Sequence, residues 1–203
     1  MWEYEVVWVK HGHELLLDAR DLVEKTKGHI IEIGSERGEG STALLATMAK
    51  ELGRPFITVD MDENVASGAK EVLQKIDKNA KAVCQKGEDF LKEFEEPIGV
   101  LYLDGYDTMP PGAILPGDLA APYEKLGGWS NEGAWLMHLK CVLETVKQVV
   151  PGGLVCFDDA WRRDCHWAER TKGYTAIPYL LMNGYHEIRY EEGAVLLERT
   201  VNA

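Results

Sequence analysis

The sequence is poor in several things, and each shortage narrows what the chain can be. Positive charge is scarce: 22 Lys and Arg stand against 34 Asp and Glu, a formal net charge of -12. Such a surface repels nucleic acid and anionic membranes, and no run of basic residues builds a local exception. Small-molecule substrates are the expectation, neutral or cationic ones before anionic ones. Cysteine is limited to Cys84, Cys141, Cys156 and Cys165, without a C-x-x-C pair. This excludes a zinc ribbon and a disulfide framework, and reads as reduced, mostly buried thiols of a cytoplasmic protein. No apolar run reaches the ~18 residues of a membrane span, and no basic-then-apolar leader opens the chain. Repeats, low-complexity tracts and a second domain are absent too, so residues 1–203 read as one domain.

What is present is an alternation of strand and helix. Residues 11–26 have helical periodicity, and His29–Ile33 is a short apolar run ending at Gly34, as a buried parallel strand does. Helix is expected over Ser41–Leu52, Glu63–Ile76 and Gly87–Phe94. Strands are expected over Pro55–Asp60, Ala80–Gln85 and Ile98–Asp104. Residues 105–130, rich in proline and glycine, break the rhythm as a long irregular insertion, a substrate lid or an oligomer contact. The apolar start, Met1–Val9, could likewise cover a pocket or pair with another subunit of a homo-oligomer. Asn131–Val150 resumes as helix and Gly153–Asp158 as strand. Thr175–Met182 follows as helix, then Tyr185–Tyr190 and Ala194–Arg199 as a strand pair turning at Gly193. The order predicts an α/β fold: a doubly wound, mostly parallel, seven-stranded sheet with an antiparallel strand near one edge.

The segment from Glu32 to Thr42, Glu-Ile-Gly-Ser-Glu-Arg-Gly-Glu-Gly-Ser-Thr, joins a strand to a helix through a glycine turn. Glycines let backbone approach a ligand closely, and the helix start offers free N–H groups. A dinucleotide fingerprint beginning at Gly34 would need glycine at positions 36 and 39, where the chain has Glu36 and Glu39. Carboxylates there repel a pyrophosphate by roughly 1–4 kcal/mol each, whereas a cationic sulfonium meets no such conflict. Asp60, at the end of the second strand, is placed to accept both hydroxyls of a ribose. Gly87-Glu88 follows the third strand, where an adenine edge would be read.

These features resemble the class I S-adenosylmethionine (SAM)-dependent methyltransferases: E-x-G-x-x-x-G-x-x-S/T over Glu32–Ser41, an acid ending strand two, and an aspartate ending strand four. The resemblance covers about residues 11–199. It implies that Gly34 and Gly38 cradle the methionine end of SAM and that Asp60 holds its ribose. Glu32 would support the turn or the amino group, and Ser35, Ser41, Met61, Gly87, Glu88 and Asp104 would complete the cofactor site.

Asp104, at the end of strand four, and the pair Asp158-Asp159, at the end of strand five, should converge on the ligand-binding edge. Three carboxylates so close need a proton or a cation, and an all-oxygen set suits magnesium. Here the chain resembles the metal-dependent O-methyltransferases of the catechol and macrolide-sugar types, which implies Mg²⁺ on Asp104, Asp158 and Asp159, lowering the pKa of a substrate hydroxyl. The Lys or His those families often place three residues after the first aspartate is Asp107 here, so the general base falls to Asp107, His138 or His166, or the metal suffices. The implied activity is SAM-dependent methylation of a small-molecule hydroxyl. The alternatives are a metal-free N- or carboxyl-methyltransferase and a non-catalytic SAM-binding protein of the same fold.

Overall fold

The computed structural model describes residues 9–35, 38–110, 112–113, 117, 123–124 and 128–200. Its main sheet runs β3-β2-β1-β4-β5-β9-β8. The strands are β1 (His29–Ile33), β2 (Phe56–Asp60), β3 (Lys81–Cys84), β4 (Ile98–Leu103), β5 (Val149–Ala160), β8 (Tyr185–Glu191) and β9 (Gly193–Arg199). The first five pair in parallel, and β9 runs antiparallel to both β5 and β8. The predicted sheet, with its reversed strand beside an edge, is therefore the one observed.

Successive side chains of a strand point to opposite faces, so these central strands feed two cores. Ile30, Val100, Tyr102, Leu154 and Cys156 pack on one face with Leu15, Leu16, Leu45, Met48 and Leu73. Those last residues come from α1 (Gly12–Asp18), α3 (Ser41–Glu51) and α4 (Glu63–Ile76), and α2 (Arg20–Lys25) adds Val23. Ile31, Ile33, Leu101, Leu103, Val155 and Phe157 face the other way. They meet Leu91 of α5 (Gly87–Glu93), Cys141 and Val142 of α6 (Asn131–Thr145), and Ile177 and Leu180 of α7 (Ala176–Met182).

Several boundaries differ from expectation. The helix expected over 11–26 divides at Ala19, whose φ of -94° and ψ of 23° leave the helix and restart it as α2. Helix α6 stops at Thr145 rather than Val150, because Val149 pairs with Ile98 in the sheet and Pro151 has no N–H for a helix. Strand β5 is accordingly longer than expected. The link after it contains a hairpin, β6 (Arg162–Arg163) with β7 (His166–Trp167), in which Arg162 stacks on Trp167 at 4.2 Å and Tyr190 at 4.4 Å. Cys141 and Cys156 are buried, but Cys84, on edge strand β3, is exposed, as is Cys165. Much of the 105–130 insertion and nearly all of Met1–Val9 lie outside the described residues, so neither a lid nor a subunit contact is placed there. Among the described residues, no helix is long and apolar enough to cross a membrane.

Candidate active site

The parallel strands all end at one edge, and two glycines, Gly34 and Gly87, shape the hollow above it. Gly34 leaves β1 at φ +93°, donating its N–H to the Val59 carbonyl at 2.8 Å. A Cβ on Gly34 would lie 2.5 Å from the Gly105 nitrogen, so the outlets of β1 and β4 close up only around glycine. A Cβ on Gly87 would strike Ile33 Cγ2 at 2.4 Å. Gly38, at φ +78°, serves packing instead: its Cα faces Ala69 of α4, which a Cβ would meet at 2.5 Å.

A cleft of about 320 Å³ opens over this edge. Gly34, Asp60, Met61, Gly87 and Glu88 line it, and Tyr106, Tyr123, Leu136, Met137 and Lys140 form much of its other wall. Asp60 accepts the Ser35 N–H at 3.0 Å and the Asp62 N–H at 2.9 Å, one on each carboxylate oxygen. Burial raises its pKa, and these donors pull it back. A carboxylate has about four acceptor positions, so two remain for hydroxyl donors. Asp62 in turn caps α4, accepting from Asn64 at 2.8 Å and Val65 at 3.2 Å, which fixes the wall that carries Asp60.

Beneath the turn, Glu32 is fully buried and accepts the Thr42 hydroxyl at 2.6 Å. Its Oε1 and the Ser35 hydroxyl have no hydrogen-bond partner among the described residues.

The ends of β4 and β5 hold a second polar centre. Lys172, 4% exposed, donates to Asp104 Oδ1 at 2.6 Å and to the Asp104 carbonyl at 3.0 Å, and its ammonium lies 3.0 Å from Asp159 Oδ2. Burial opposes its charge, but Asp104, Asp159 and Asp158 outweigh that and hold it protonated. Asp158 turns away toward α1. Its Oδ1 accepts the Gly12 N–H at 2.9 Å, and its Oδ2 accepts the Tyr102 hydroxyl at 3.0 Å and faces His11 Nδ1 at 3.4 Å.

Comparison with known proteins agrees with this geometry. Residues 31–129 match the family model described as a methyltransferase domain. No curated protein matches the sequence. Among solved structures, the SAH-bound Podospora anserina methyltransferase PaMTH1 superposes with a TM-score of 0.59 at 15% identity, covering 93% of this chain and 77% of that one. A Streptococcus mutans protein solved in complex with SAH gives 0.58 at 14% identity, covering 94% and 99%. An Aquifex aeolicus SAM-dependent methyltransferase gives 0.51 at 16%, covering 93% and 89%. The fold is that of the class I SAM-dependent methyltransferases.

Within this methyltransferase fold, the structure gathers Gly34, Asp60, Met61, Gly87 and Glu88 at the cleft and leaves other expected residues elsewhere. Glu32, Ser35 and Ser41 are buried under the turn, and Gly38 braces it. Glu36 lies outside the described residues. Of the three candidate bases, none lines the cleft. Asp107 is bound into the insertion: its Oδ2 accepts the Tyr123 hydroxyl at 2.8 Å, and its carbonyl accepts Trp129 Nε1 at 2.8 Å. His138 is a core residue. It is fully buried in α6, its Nδ1 lies 2.8 Å from the Ala134 carbonyl, and burial lowers its pKa to about 3. His166 sits exposed on the β6–β7 hairpin.

The expected magnesium ligands do not fit a divalent ion. Asp104 and Asp159 do converge, but on the Lys172 ammonium, and Asp158 has both oxygens engaged on the far side. No group of three or more His, Cys, Asp or Glu among the described residues is arranged to hold a metal. Tyr106 and Tyr123 of the insertion pack on each other at 4.4 Å and also line the cleft, whereas Trp135 of α6 stacks on Tyr174 at 4.5 Å.

Sequence reasoning missed Lys172, Tyr102 and the wall formed by Tyr106, Leu136, Met137 and Lys140. The need of clustered carboxylates for a cation was the one available pointer to Lys172. Nothing local marks a lysine 68 positions beyond Asp104 as the answer.

Proposed function

We propose that this chain transfers the methyl group of SAM to a hydroxyl of a small molecule, one acidic enough to ionise without a bound metal, such as a phenol. The observation that carries the reading is the cleft itself: Gly34, Asp60, Met61, Gly87 and Glu88 line one hollow at the carboxyl edge of a methyltransferase fold. When bound, SAM supplies a sulfonium-activated methyl group. The residues of the chain bind and orient. Asp60 offers two free acceptor positions to ribose hydroxyls, and the Gly34 turn lets backbone reach the amino-acid end. Tyr106, Tyr123, Leu136 and Met137 give the acceptor an apolar and aromatic wall that excludes water. Alignment of nucleophile, carbon and sulfur can supply on the order of 7–11 kcal/mol of the barrier reduction. Lys172 supports this acceptor class: with an ammonium between Asp104 and Asp159, an acceptor that loses its proton more readily than an aliphatic alcohol suits the site better.

Calorimetry with SAH, then methyl-labelled SAM offered to phenols, aliphatic alcohols, carboxylic acids and amines, tests this. Binding that Asp60→Ala weakens, with label entering phenols, is expected. Absence of SAH binding at millimolar concentration would sink the cofactor reading, and label entering amines alone would sink the acceptor class.

A further inference from the structure

We propose that Lys172 is a built-in counter-ion that takes the place of a divalent metal between the ends of β4 and β5, and that its removal converts this site into one that binds a divalent cation. An ammonium has three N–H donors and no acceptor. Here three oxygens surround it: Asp104 Oδ1 at 2.6 Å, the Asp104 carbonyl at 3.0 Å and Asp159 Oδ2 at 3.0 Å. All are oxygen donors of the kind that hard divalent ions take. The lysine is enclosed rather than draped over the surface, with its side chain 5% exposed.

The backbone shows that the lysine is delivered by design of the loop. The Lys172 N–H meets the Asp159 carbonyl at 3.3 Å, and the Thr171 hydroxyl donates to the Trp161 carbonyl at 2.8 Å and accepts the Trp161 N–H at 2.9 Å. Thr108 donates its hydroxyl to the Arg170 carbonyl at 2.6 Å, so the loops following β4 and β5 are tied on either side of the ammonium. Lys172 is thus a positioning residue. It fixes the Asp104 backbone, next to Gly105 and Tyr106 of the cleft, without lining the cleft itself. An exchangeable ion would do the same only while it stayed bound. The consequence for the reaction, insensitivity to chelator, rests on the methyl-transfer reading, but the ion-binding behaviour does not.

The experiment compares the wild type with Lys172→Met and Lys172→Arg. Each is titrated with Mg²⁺, Ca²⁺, Mn²⁺ and Tb³⁺, following thermal melting and tyrosine-sensitised terbium emission, with SAH calorimetry as a separate readout. The wild type and Lys172→Arg should melt identically in chelator and in millimolar divalent ion, without terbium emission. Lys172→Met should melt lower in chelator, and divalent ions should restore much of the loss and bring in terbium emission. If Lys172→Met does not fold with or without ions, the wild type decides: a melting shift or saturable terbium emission there overturns the proposal. A folded Lys172→Met that ignores every ion overturns it as well. Failure of SAH to bind would instead strike the proposed function and leave these outcomes untouched.

Discussion

Thr42 donates its hydroxyl to the Glu32 carboxylate over 2.6 Å, joining the first turn of α3 to the penultimate residue of β1 where neither side chain meets solvent. Burial raises Glu32 to about 7, and the Thr42 hydroxyl offsets only part of that. An acid whose pKa is higher folded than unfolded binds more protons in the folded state. Its effect is therefore absent below the unfolded value of about 4.5, grows as pH rises toward 7, and destabilises steadily above that. The difference corresponds to roughly 3 kcal/mol at full ionisation. Glu32→Gln, whose amide oxygen can still accept from Thr42, should match the wild type near pH 4.5 and exceed it in stability by about 1–3 kcal/mol near pH 8. Denaturant unfolding at the two pH values measures this, and an equal effect at both would show that Glu32 is not the titrating group.

The glycine turn makes a steric prediction. Gly34→Ala combines a positive φ with a clash against the Gly105 backbone, whereas Gly53, also at positive φ, faces open space past the end of α3. Gly53→Ala should cost about 1 kcal/mol, the price of the left-handed conformation alone. Gly34→Ala should cost about 3 kcal/mol or more and also weaken SAH binding, since the outlets of β1 and β4 must part. Equal costs in urea unfolding would mean that the close approach of Gly34 to Gly105 does not matter.

The parts of this protein that could be read from sequence are those set by local pattern. Strand β1 was legible because its apolar run stops at Gly34, and α4 because its helical stretch runs from Glu63 to Ile76. The ends of parallel strands share an edge, and Asp60 and Gly87, at the ends of neighbouring strands, line one cleft there. The polar centre under β4 and β5 was half legible. Asp104, Asp158 and Asp159 were expected to converge around a proton or a cation; Asp104 and Asp159 meet at a lysine ammonium from a loop whose course no periodicity predicts, and Asp158 turns away. Tyr102 was hidden for a different reason: its position in β4 makes it look like core, and its ring is core, while its hydroxyl reaches two carboxylates. His138 misled in the opposite sense, a polar residue on a buried helical face.

The His11–Asp158 contact predicts a stability window. The Asp158 hydrogen bond raises His11 to about 9. Burial alone would raise Asp158, but His11, Lys172 and the Gly12 N–H outweigh it and lower the carboxyl to about 2. A histidine with a raised pKa stabilises in full below its unfolded value of about 6.5 and loses that contribution as pH climbs through about 9. The depressed aspartate contributes in full above about 3.8 and loses it as pH falls through about 2. Both are complete between about pH 4 and 6.5. The imidazole is 56% exposed, so solvent screening holds the pair to about 1 kcal/mol or less. His11→Gln should lower the melting temperature slightly near pH 6 and leave it unchanged near pH 10. A deficit that persists at the higher pH would assign His11 a packing role against His13, its stacking partner at 5.6 Å.

Tyr102 offers the most stringent test of the polar centre. Its single hydroxyl proton lies between Asp158 Oδ2 at 3.0 Å and Asp104 Oδ2 at 3.2 Å, so it can be donated to one carboxylate at a time while its dipole separates both. Tyr102→Phe keeps the ring, including its close contact with Gly12, where a Cβ would come within 2.8 Å of Tyr102 Cε2. What is lost is the hydroxyl alone, which leaves a buried Asp158 oxygen with only the distant His11. Removing one partner of a buried charged acceptor costs about 1–3 kcal/mol. Burial raises Asp104 to about 7, so the share of the cost that falls on its carboxylate should be largest above neutral pH and shrink as acid protonates it, while Asp158, lowered to about 2, stays ionised throughout. Urea unfolding of Tyr102→Phe beside Tyr185→Phe, whose hydroxyl donates to the uncharged Val146 carbonyl at 3.1 Å, separates the two kinds of loss. The Tyr185 deficit should be nearly independent of pH between about 4 and 8, and the Tyr102 deficit should not. Two parallel pH profiles would mean that the Tyr102 hydroxyl does not mediate between the aspartates.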